Sequence, residues 1–322
     1  MWLITGGAGY IGSHVVRELT AAGESLVVLD DLSSGDPARL PAGIVLERGS
    51  VLDAEVLARV LREYAVDGIV HIAGRKQVAE SVERPLYYYR ENIEGLRTVL
   101  DAAAAAGVRR FVFSSSAAVY GPTDVDLVTE QTPCAPMSPY GQTKLAGEWL
   151  VAAAGRAYGM ATVSLRYFNV AGAATPELAD TGVSNLVPMV FQRLAAGAPP
   201  LIFGDDYPTP DGTCVRDYIH VQDIASAHLA AARRLTADPD TALVLNIGTG
   251  LGVSVAEMVT VIGEVTGHTD LVPEVGPRRP GDPARVIASA EAIAKELDWR
   301  AQYDVREMVG SAWAGWQARH PG

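Results

Sequence analysis

A doubly wound parallel α/β sheet with a smaller C-terminal α/β lobe is predicted by three observations. The first half of the chain alternates short β-branched apolar runs with helical stretches. A glycine-rich turn, Gly6-Gly7-Ala8-Gly9-Tyr10-Ile11-Gly12, stands between the first such run and the first helix. After Asn169 the alternation stops and proline and glycine become dense, as in Pro199-Pro200, Pro208, Pro210, Gly212, Pro277, Pro280, Gly281 and Pro283.

Each run can be justified in order. Trp2-Leu3-Ile4-Thr5 reads as a strand, and His14 to Ala22 as the helix beyond the glycines. Leu26 to Asp30, Ile44 to Leu46 and Gly68 to Ile72 follow as strands, with Ala54 to Tyr64 helical before the last of these. Arg110 to Ser114 comes after an Ala-rich helix ending at Gly107, and Thr162 to Arg166 after a helix from about Gly141 to Ala157. Unbroken apolar runs separated by helices indicate parallel strands buried on both faces. Asp223 is expected to cap a helix running to about Arg234, and Val244 to Ile247 reads as a further buried strand that returns to the first domain. The expected division is a nucleotide-binding domain of residues 1–168 with a return segment 219–248, and a lobe of 169–218 and 249–322. Trp313 and Trp316 read as core anchors of that lobe.

Composition narrows the function. With 48% hydrophobic and 20% charged residues in 322, the chain is that of an ordinary globular enzyme. A net charge of -12 argues against nucleic acid, because phosphate contacts need clustered Lys and Arg. No apolar run reaches the ~18 residues of a membrane span, and the start carries no basic leader. Cys134 and Cys214 suit neither a disulfide framework nor a metal cluster. They read as free thiols, and the expected location is cytoplasmic.

The glycines carry the first chemistry. At positions 6, 9 and 12 they permit a tight turn, close approach of a pyrophosphate and close helix–strand packing. The helix start then offers unpaired N–H groups to phosphate. Asp30 ends the second strand, where a carboxylate can accept from both adenosine ribose hydroxyls and would repel a 2′-phosphate. NAD is therefore expected rather than NADP. Asp31 is the neighbouring candidate, and either carboxylate could instead cap the following turn. Tyr140-Gly141-Gln142-Thr143-Lys144 places a phenol and an ammonium one helical turn apart on one face. A phenol of pKa ~10 is a poor base at neutral pH, and a lysine cation beside it would favour the phenolate. Ser114-Ser115-Ser116 closes a predicted parallel strand, the end at which such sheets place ligands.

With these motifs in place, the chain resembles the extended short-chain dehydrogenase/reductases of Rossmann fold, and within them the UDP-glucose (UDP-galactose) 4-epimerases. The likeness runs nearly end to end. It is most specific in Phe113 to Gly121, Ser138-Pro139-Tyr140, Leu165-Arg166-Tyr167-Phe168-Asn169, Ile202-Phe203-Gly204, Val215 to Val221, and Pro277-Arg278-Arg279-Pro280-Gly281-Asp282. The resemblance implies Tyr140, Lys144 and Ser116 as catalytic residues. It implies an NAD site of Gly6, Gly9, Tyr10, Ile11, Gly12, Asp30, Asp31, Ser50, Val51, Ile72, Ala73, Lys76, Asn92, Ser114, Tyr140, Lys144, Tyr167 and Phe168. It implies a UDP-sugar site of Ser116, Tyr140, Asn169, Asn185, Leu186, Leu201, Phe203, Arg216, Arg279, Asp282 and Val286. No metal is expected. A homodimer is implied, with the Asn92 and Tyr140 helices packing against their mates.

The implied mechanism has phenolate Tyr140 remove the C4 hydroxyl proton while C4 gives hydride to NAD, with Ser116 bonding the developing charge. The 4-keto sugar turns over and takes the hydride back on its other face. Dehydratase and decarboxylase relatives need acidic residues just after the serine, where this chain has Ala117 and Ala118. A silent NAD-binding scaffold would not require Tyr140, Lys144 and Ser116 together. Three departures from the family pattern stand out. Ser50 replaces an Asp that contacts adenine, Glu91 replaces the first of two asparagines, and Val286 stands where a bulky Tyr is common. Glucose/galactose, N-acetylhexosamine and glucuronate/galacturonate pairs all stay open as substrates.

Overall fold

The computed structural model describes residues 1–183, 185–270, 272–279 and 282–320. Pro280 and Gly281 of the proline-rich run lie outside the described residues. The strands are β1 (Trp2–Thr5), β2 (Leu26–Asp30), β3 (Val45–Arg48), β4 (Gly68–His71), β5 (Arg110–Ser116), β6 (Ala161–Tyr167), β7 (Asn169–Ala171), β8 (Leu201–Phe203), β9 (Val215–His220), β10 (Ala242–Ile247), β11 (Gly252–Ser254), β12 (Glu274–Gly276) and β13 (Arg285–Val286). The helices are α1 (Tyr10–Ala21), α2 (Ala54–Glu63), α3 (Val78–Glu83), α4 (Pro85–Tyr88), α5 (Gly95–Ala106), α6 (Pro139–Tyr158), α7 (Leu186–Ala195), α8 (Val221–Ala237), α9 (Val255–Thr266), α10 (Glu291–Leu297) and α11 (Val305–Arg319). A π-helical segment, Tyr89–Glu94, joins α4 to α5.

Seven strands form one parallel sheet in the order β10-β6-β5-β4-β1-β2-β3. The period of two along each strand explains the layers on both faces. Trp2 and Ile4 enter one core with Val15, Val16 and Leu19 of α1 and Ile224 and Leu229 of α8. Leu3, Val27 and Leu29 enter the opposite core with Leu57 and Leu61 of α2 and Leu96 and Val99 of α5. The strand order reverses between β1 and β4, so a crevice opens at their carboxyl ends, where doubly wound sheets bind ligands. Ile293 and Trp299, late in the chain, join the first of these cores. A smaller sheet of β11, β9, β13 and β7, together with the β8–β12 pair, packs over a third core containing Phe191, Met258 and Trp316. Trp313 and Trp316 both lie against Phe191, at 5.0 and 5.9 Å between ring centroids, as expected of anchors.

Two expectations are corrected. Helix α1 begins at Tyr10, four residues before His14, because the glycine turn leads directly into it. Asp223 does not cap α8: His220 does, its ring accepting from the Gln222 N–H, while Asp223 lies inside the first turn and accepts from Gln302 N and Tyr303 N. The incoming segment at 302–303 needs acceptors, and the buried carboxylate supplies both. Strand β5 ends at Ser116, which puts Ser114-Ser115-Ser116 at its carboxyl end.

Four histidines, His14, His71, His220 and His228, are buried. Burial holds their imidazoles below the ordinary range, to about 4, 3, 4 and 4 respectively. The unfolded chain takes up protons at these sites near pH 6.5, whereas the folded chain resists until about pH 4. Each site therefore lowers stability as pH falls through that window, by up to ~1.4 kcal/mol per pH unit. Asp30, Asp217 and Asp223, raised by burial, act in the opposite sense but from a lower starting value. The thermal unfolding midpoint is expected to fall steadily from pH 7 to pH 5. A midpoint that is flat or rising across that range contradicts this reading.

Candidate active site

The glycine turn has the geometry its spacing requires. Gly6 adopts φ +72°, and a Cβ there would lie 2.7 Å from the Ala73 nitrogen. A Cβ on Gly12 would lie 2.0 Å from the Gly6 carbonyl oxygen, so α1 can approach the turn this closely only with glycine. Gly9 caps α1 without a side-chain acceptor, which leaves the first-turn amides around Tyr10 and Ile11 without a side-chain partner at the crevice. That is the donor set a dinucleotide pyrophosphate needs. Ile72 and Ala73 continue β4 past this turn, with Ala73 N–H bonded to the Thr5 carbonyl at 3.0 Å.

Asp30 links the turn to the end of β2. Its Oδ2 accepts from Ala8 N at 3.0 Å and its Oδ1 from Leu32 N at 2.9 Å. Each oxygen keeps a lone pair for a ribose hydroxyl, so the turn-capping and ribose readings are compatible for this residue. Asp31 is exposed and caps locally, accepting from Ser33 N and Ser33 Oγ. Ser50 accepts from Leu52 N at 3.2 Å, and Val51 packs against Gly95. These residues fit NAD at the β1–β2 side of the crevice.

Other expected cofactor residues are engaged with the protein itself. Lys76 is half-exposed, 3.6 Å from the Asp180 carboxylate and 5.7 Å from the Tyr10 ring centroid. Tyr10 donates its hydroxyl to the Gly172 carbonyl at 2.6 Å. Asn92 lies in the π-helical segment, where such bulges re-aim a side chain. Its Oδ1 accepts from Arg75 N at 2.7 Å, and its Nδ2 donates to Arg75 O and to Thr143 Oγ1 at 3.1 and 3.0 Å. Asn92 thus brackets the loop after β4 against α6. Tyr167 is buried and donates to Ser114 Oγ at 2.6 Å, with His228 Nε2 on the same hydroxyl at 2.5 Å. Phe168 packs in a small core with Val119, Tyr120 and Leu145.

The catalytic candidates come together at the end of β5. Helix α6 starts at Pro139, with Ser138 capping it through the Gly141 N–H. Two glycines let it lie close: a Cβ on Gly141 would stand 2.5 Å from the Ala118 carbonyl oxygen, and one on Gly147 would stand 2.6 Å from the Phe113 ring. Ser116, the last residue of β5, faces the Tyr140 phenol. The Ser116 hydroxyl accepts from Ala118 N at 3.2 Å, which orients it at the strand end. Burial raises the Tyr140 phenol above its usual value, and Ser116 acts against that rise. Lys144 donates to the Ser114 carbonyl at 2.8 Å and lies 5.9 Å from the Tyr140 ring centroid. It is fixed by the strand rather than by the phenol. Burial brings its ammonium down to about 8, opposed by the Glu148 carboxylate.

The residues expected for UDP lie on the elements of the smaller sheet and its flanking helix and loops. Asn169 is exposed on β7, and Asn185 and Leu186 open α7. Phe203, with Leu201 on the same strand β8, carries the Arg279 guanidinium 4.0 Å above its ring. Arg216 and Asp282 form an ion pair at 2.5 Å. This pair neutralises itself, so Arg216 would have to exchange Asp282 for a phosphate or share it. Val286 pairs in register with Arg216 across β13 and β9, and both it and Ala117, the neighbour of Ser116, pack against the small core of Val119, Tyr120 and Phe168. Sequence reasoning missed Glu148, Tyr120 and Asn246, and gave no role to Arg166. One signal was available: Glu148 lies four residues beyond Lys144, as Lys144 lies four beyond Tyr140.

Comparison with known proteins agrees with this geometry. Residues 2–248 match the model of the NAD dependent epimerase/dehydratase family. The chain is 44% identical over 325 residues to the UDP-glucose 4-epimerase of Azospirillum brasilense, covering 98% of this chain and 91% of that one. It superposes with a TM-score of 0.93 and 40% identity on a UDP-glucose-4-epimerase from Stenotrophomonas maltophila with bound NAD and formylated UDP-arabinopyranose, covering 99% and 98% of the two chains. It also superposes on the UDP-Glc/GlcNAc 4-epimerase of Campylobacter jejuni, with a TM-score of 0.86, 36% identity and coverage of 98% and 99%. The glycine turn, the Tyr140–Lys144 helix face and these full-length likenesses lead to one statement: the chain belongs to the NAD dependent epimerase/dehydratase family.

Proposed function

We propose that the chain is a UDP-hexose 4-epimerase that interconverts UDP-glucose and UDP-galactose, and that it also accepts the N-acetylhexosamine pair. The observation that carries this reading is the Tyr140 phenol facing Ser116, with Lys144 one turn beyond and fixed to the Ser114 carbonyl, and alanines at 117 and 118. A 4,6-elimination or decarboxylation would need an acid beside the serine, and two methyl groups stand there instead. The comparisons favour the glucose/galactose pair over a uronate pair.

The chain's residues divide the work by position. Tyr140 takes the proton from the sugar C4 hydroxyl and returns it. Ser116, oriented by Ala118 N, donates to the same oxygen as charge develops on it. Lys144 keeps a positive charge beside Tyr140 and is fixed in place by the Ser114 carbonyl. NAD, which the glycine turn and Asp30 would hold, would supply the hydride acceptor and then the hydride donor at C4. Arg279, Arg216 and Asn185 offer donors to the diphosphate and uracil. Because one hydride site must serve both faces of the ketone, the residues around the sugar must clear its C2 group in two orientations.

A homodimer belongs to the same reading. Val82, Leu86, Tyr89 and Trp149 are exposed apolar side chains on α3, α4, the π-helical segment and α6. Leu86 and Trp149 are 83% and 65% exposed, and such a patch is suited to burial against a second copy.

Purified protein is expected to interconvert UDP-glucose and UDP-galactose with no NAD added, because the cofactor is regenerated in each turnover. Tyr140→Phe removes one hydroxyl and should lower the rate about 10²–10⁴-fold while bound NAD and the unfolding midpoint stay near wild type. Activity within a few-fold of wild type removes Tyr140 as the acid–base group. Val286 tests the C2 pocket. A tyrosine there would overfill the space over the small core that Val286 and Ala117 both border, at a cost of ~1–3 kcal/mol or about one to two decades in rate. Val286→Tyr should suppress turnover of UDP-N-acetylglucosamine and spare UDP-glucose. Wild-type protein with no turnover of the N-acetyl sugar contradicts that assignment.

A further inference from the structure

We propose that the buried Glu148–Arg166 ion pair is a positioning element that sets the distance between Ser116 and the Tyr140–Lys144 face of α6 and holds a negative charge one turn beyond Lys144. The inference rests on Tyr140, Lys144 and Ser116 being the catalytic groups.

The geometry joins every element that carries them. Glu148 is 4% exposed and follows Lys144 by four residues, so Tyr140, Lys144 and Glu148 occupy one face of α6. Its Oε1 accepts from Ser115 Oγ at 2.5 Å and from Arg166 Nε at 2.9 Å, and its Oε2 accepts from Arg166 Nη2 at 2.6 Å. Ser115 immediately precedes Ser116, and it sits opposite Arg166 in the β5–β6 register. Arg166 Nη1 donates to the Tyr120 hydroxyl at 2.8 Å, and Tyr120 donates to Asn246 Oδ1 on β10 at 2.6 Å. The pair therefore connects α6, the end of β5, β6, the turn after Ser116, and β10. A buried pair is weak evidence for stability, because desolvation offsets most of the attraction. Its value here is directional: bidentate, fully partnered hydrogen bonds fix the helix against the strand end.

The charge has a second consequence. The ionisable groups around Lys144 are Tyr140 and Glu148 on its own helix, His71 on β4, Arg166 and Tyr167 on β6, His228 on α8, and the Arg75–Glu91 pair. His71 and His228 are neutral at working pH, and Arg166 and Arg75 are already paired. Glu148 is the negative group that opposes the loss of the Lys144 proton. Neutralising it makes Lys144 deprotonate at lower pH.

The test follows UDP-glucose epimerisation by NAD-loaded protein as a function of pH, in wild type, Glu148→Gln, Glu148→Met/Arg166→Met and Ser115→Ala. The double variant leaves no unpaired charge, so it folds even where Glu148→Gln does not. In both Glu148 variants kcat is expected to fall about tenfold or more, with KM for UDP-glucose within about threefold; the alkaline limb of kcat moves down by about half a pH unit or more in Glu148→Gln, and by less in the double variant, which removes both charges together. Ser115→Ala retains both charges and should lower kcat about threefold or more with the alkaline limb unmoved. A folded Glu148→Gln whose alkaline limb stays at the wild-type position overturns the proposal, as does the double variant or Ser115→Ala with unchanged kcat. Wild type that does not turn over UDP-glucose overturns the functional reading itself, and so is distinguished from failure of this inference.

Discussion

The close approach of helix α6 to the end of strand β5 is the constraint on which the site depends. Gly141 passes beneath the Ala118 carbonyl and Gly147 beneath the Phe113 ring, at separations that no side chain could occupy. That contact brings Lys144 within hydrogen-bond reach of Ser114 and Tyr140 within reach of Ser116. A helix displaced outward by one methyl group would leave the phenol, the ammonium and the serine as three unrelated polar groups. The glycine turn plays the corresponding part for the cofactor, with Gly12 against the Gly6 carbonyl. Both halves of the site are thus made by backbone-to-backbone approach, and the reactive side chains inherit their spacing from it.

Burial then sets the electrostatics. In the protein alone Tyr140 is raised and Lys144 is brought down to about 8, both chiefly by desolvation. The phenolate is therefore disfavoured until positive charge is added beside it. Ser116 supplies part of that compensation, and the fixed charge of Lys144 and a cofactor carrying a positive ring would supply more. The lysine's own hydrogen bond goes to a strand carbonyl, so its effect on Tyr140 is that of a charge held at fixed distance.

Much of the fold was legible because parallel strands buried on both faces need continuous apolar runs. Trp2 to Thr5, Leu26 to Asp30 and Val244 to Ile247 all fall within the seven-stranded sheet. The Tyr140–Lys144 spacing was legible because helix geometry turns a separation of four into one face. What escaped was long-range. Glu148, Arg166, Tyr120 and Asn246 each look ordinary in their own segment, and only the packing of α6 on β5, β6 and β10 unites them. The bracketing role of Asn92 depends on a π-helical turn that composition does not signal. Asp223 looked like a helix cap because caps are local, yet its partners at Gln302 and Tyr303 are about 80 residues away. The short strands of the lobe, two to six residues each, carry too few side chains to show a period.

The central claim is that one hydride leaves and returns to the same sugar carbon without reaching water. Turnover of UDP-glucose deuterated at C4, in ordinary water and without added cofactor, tests it directly. The account predicts UDP-galactose that keeps its deuterium at C4. Product carrying hydrogen at that carbon would contradict it.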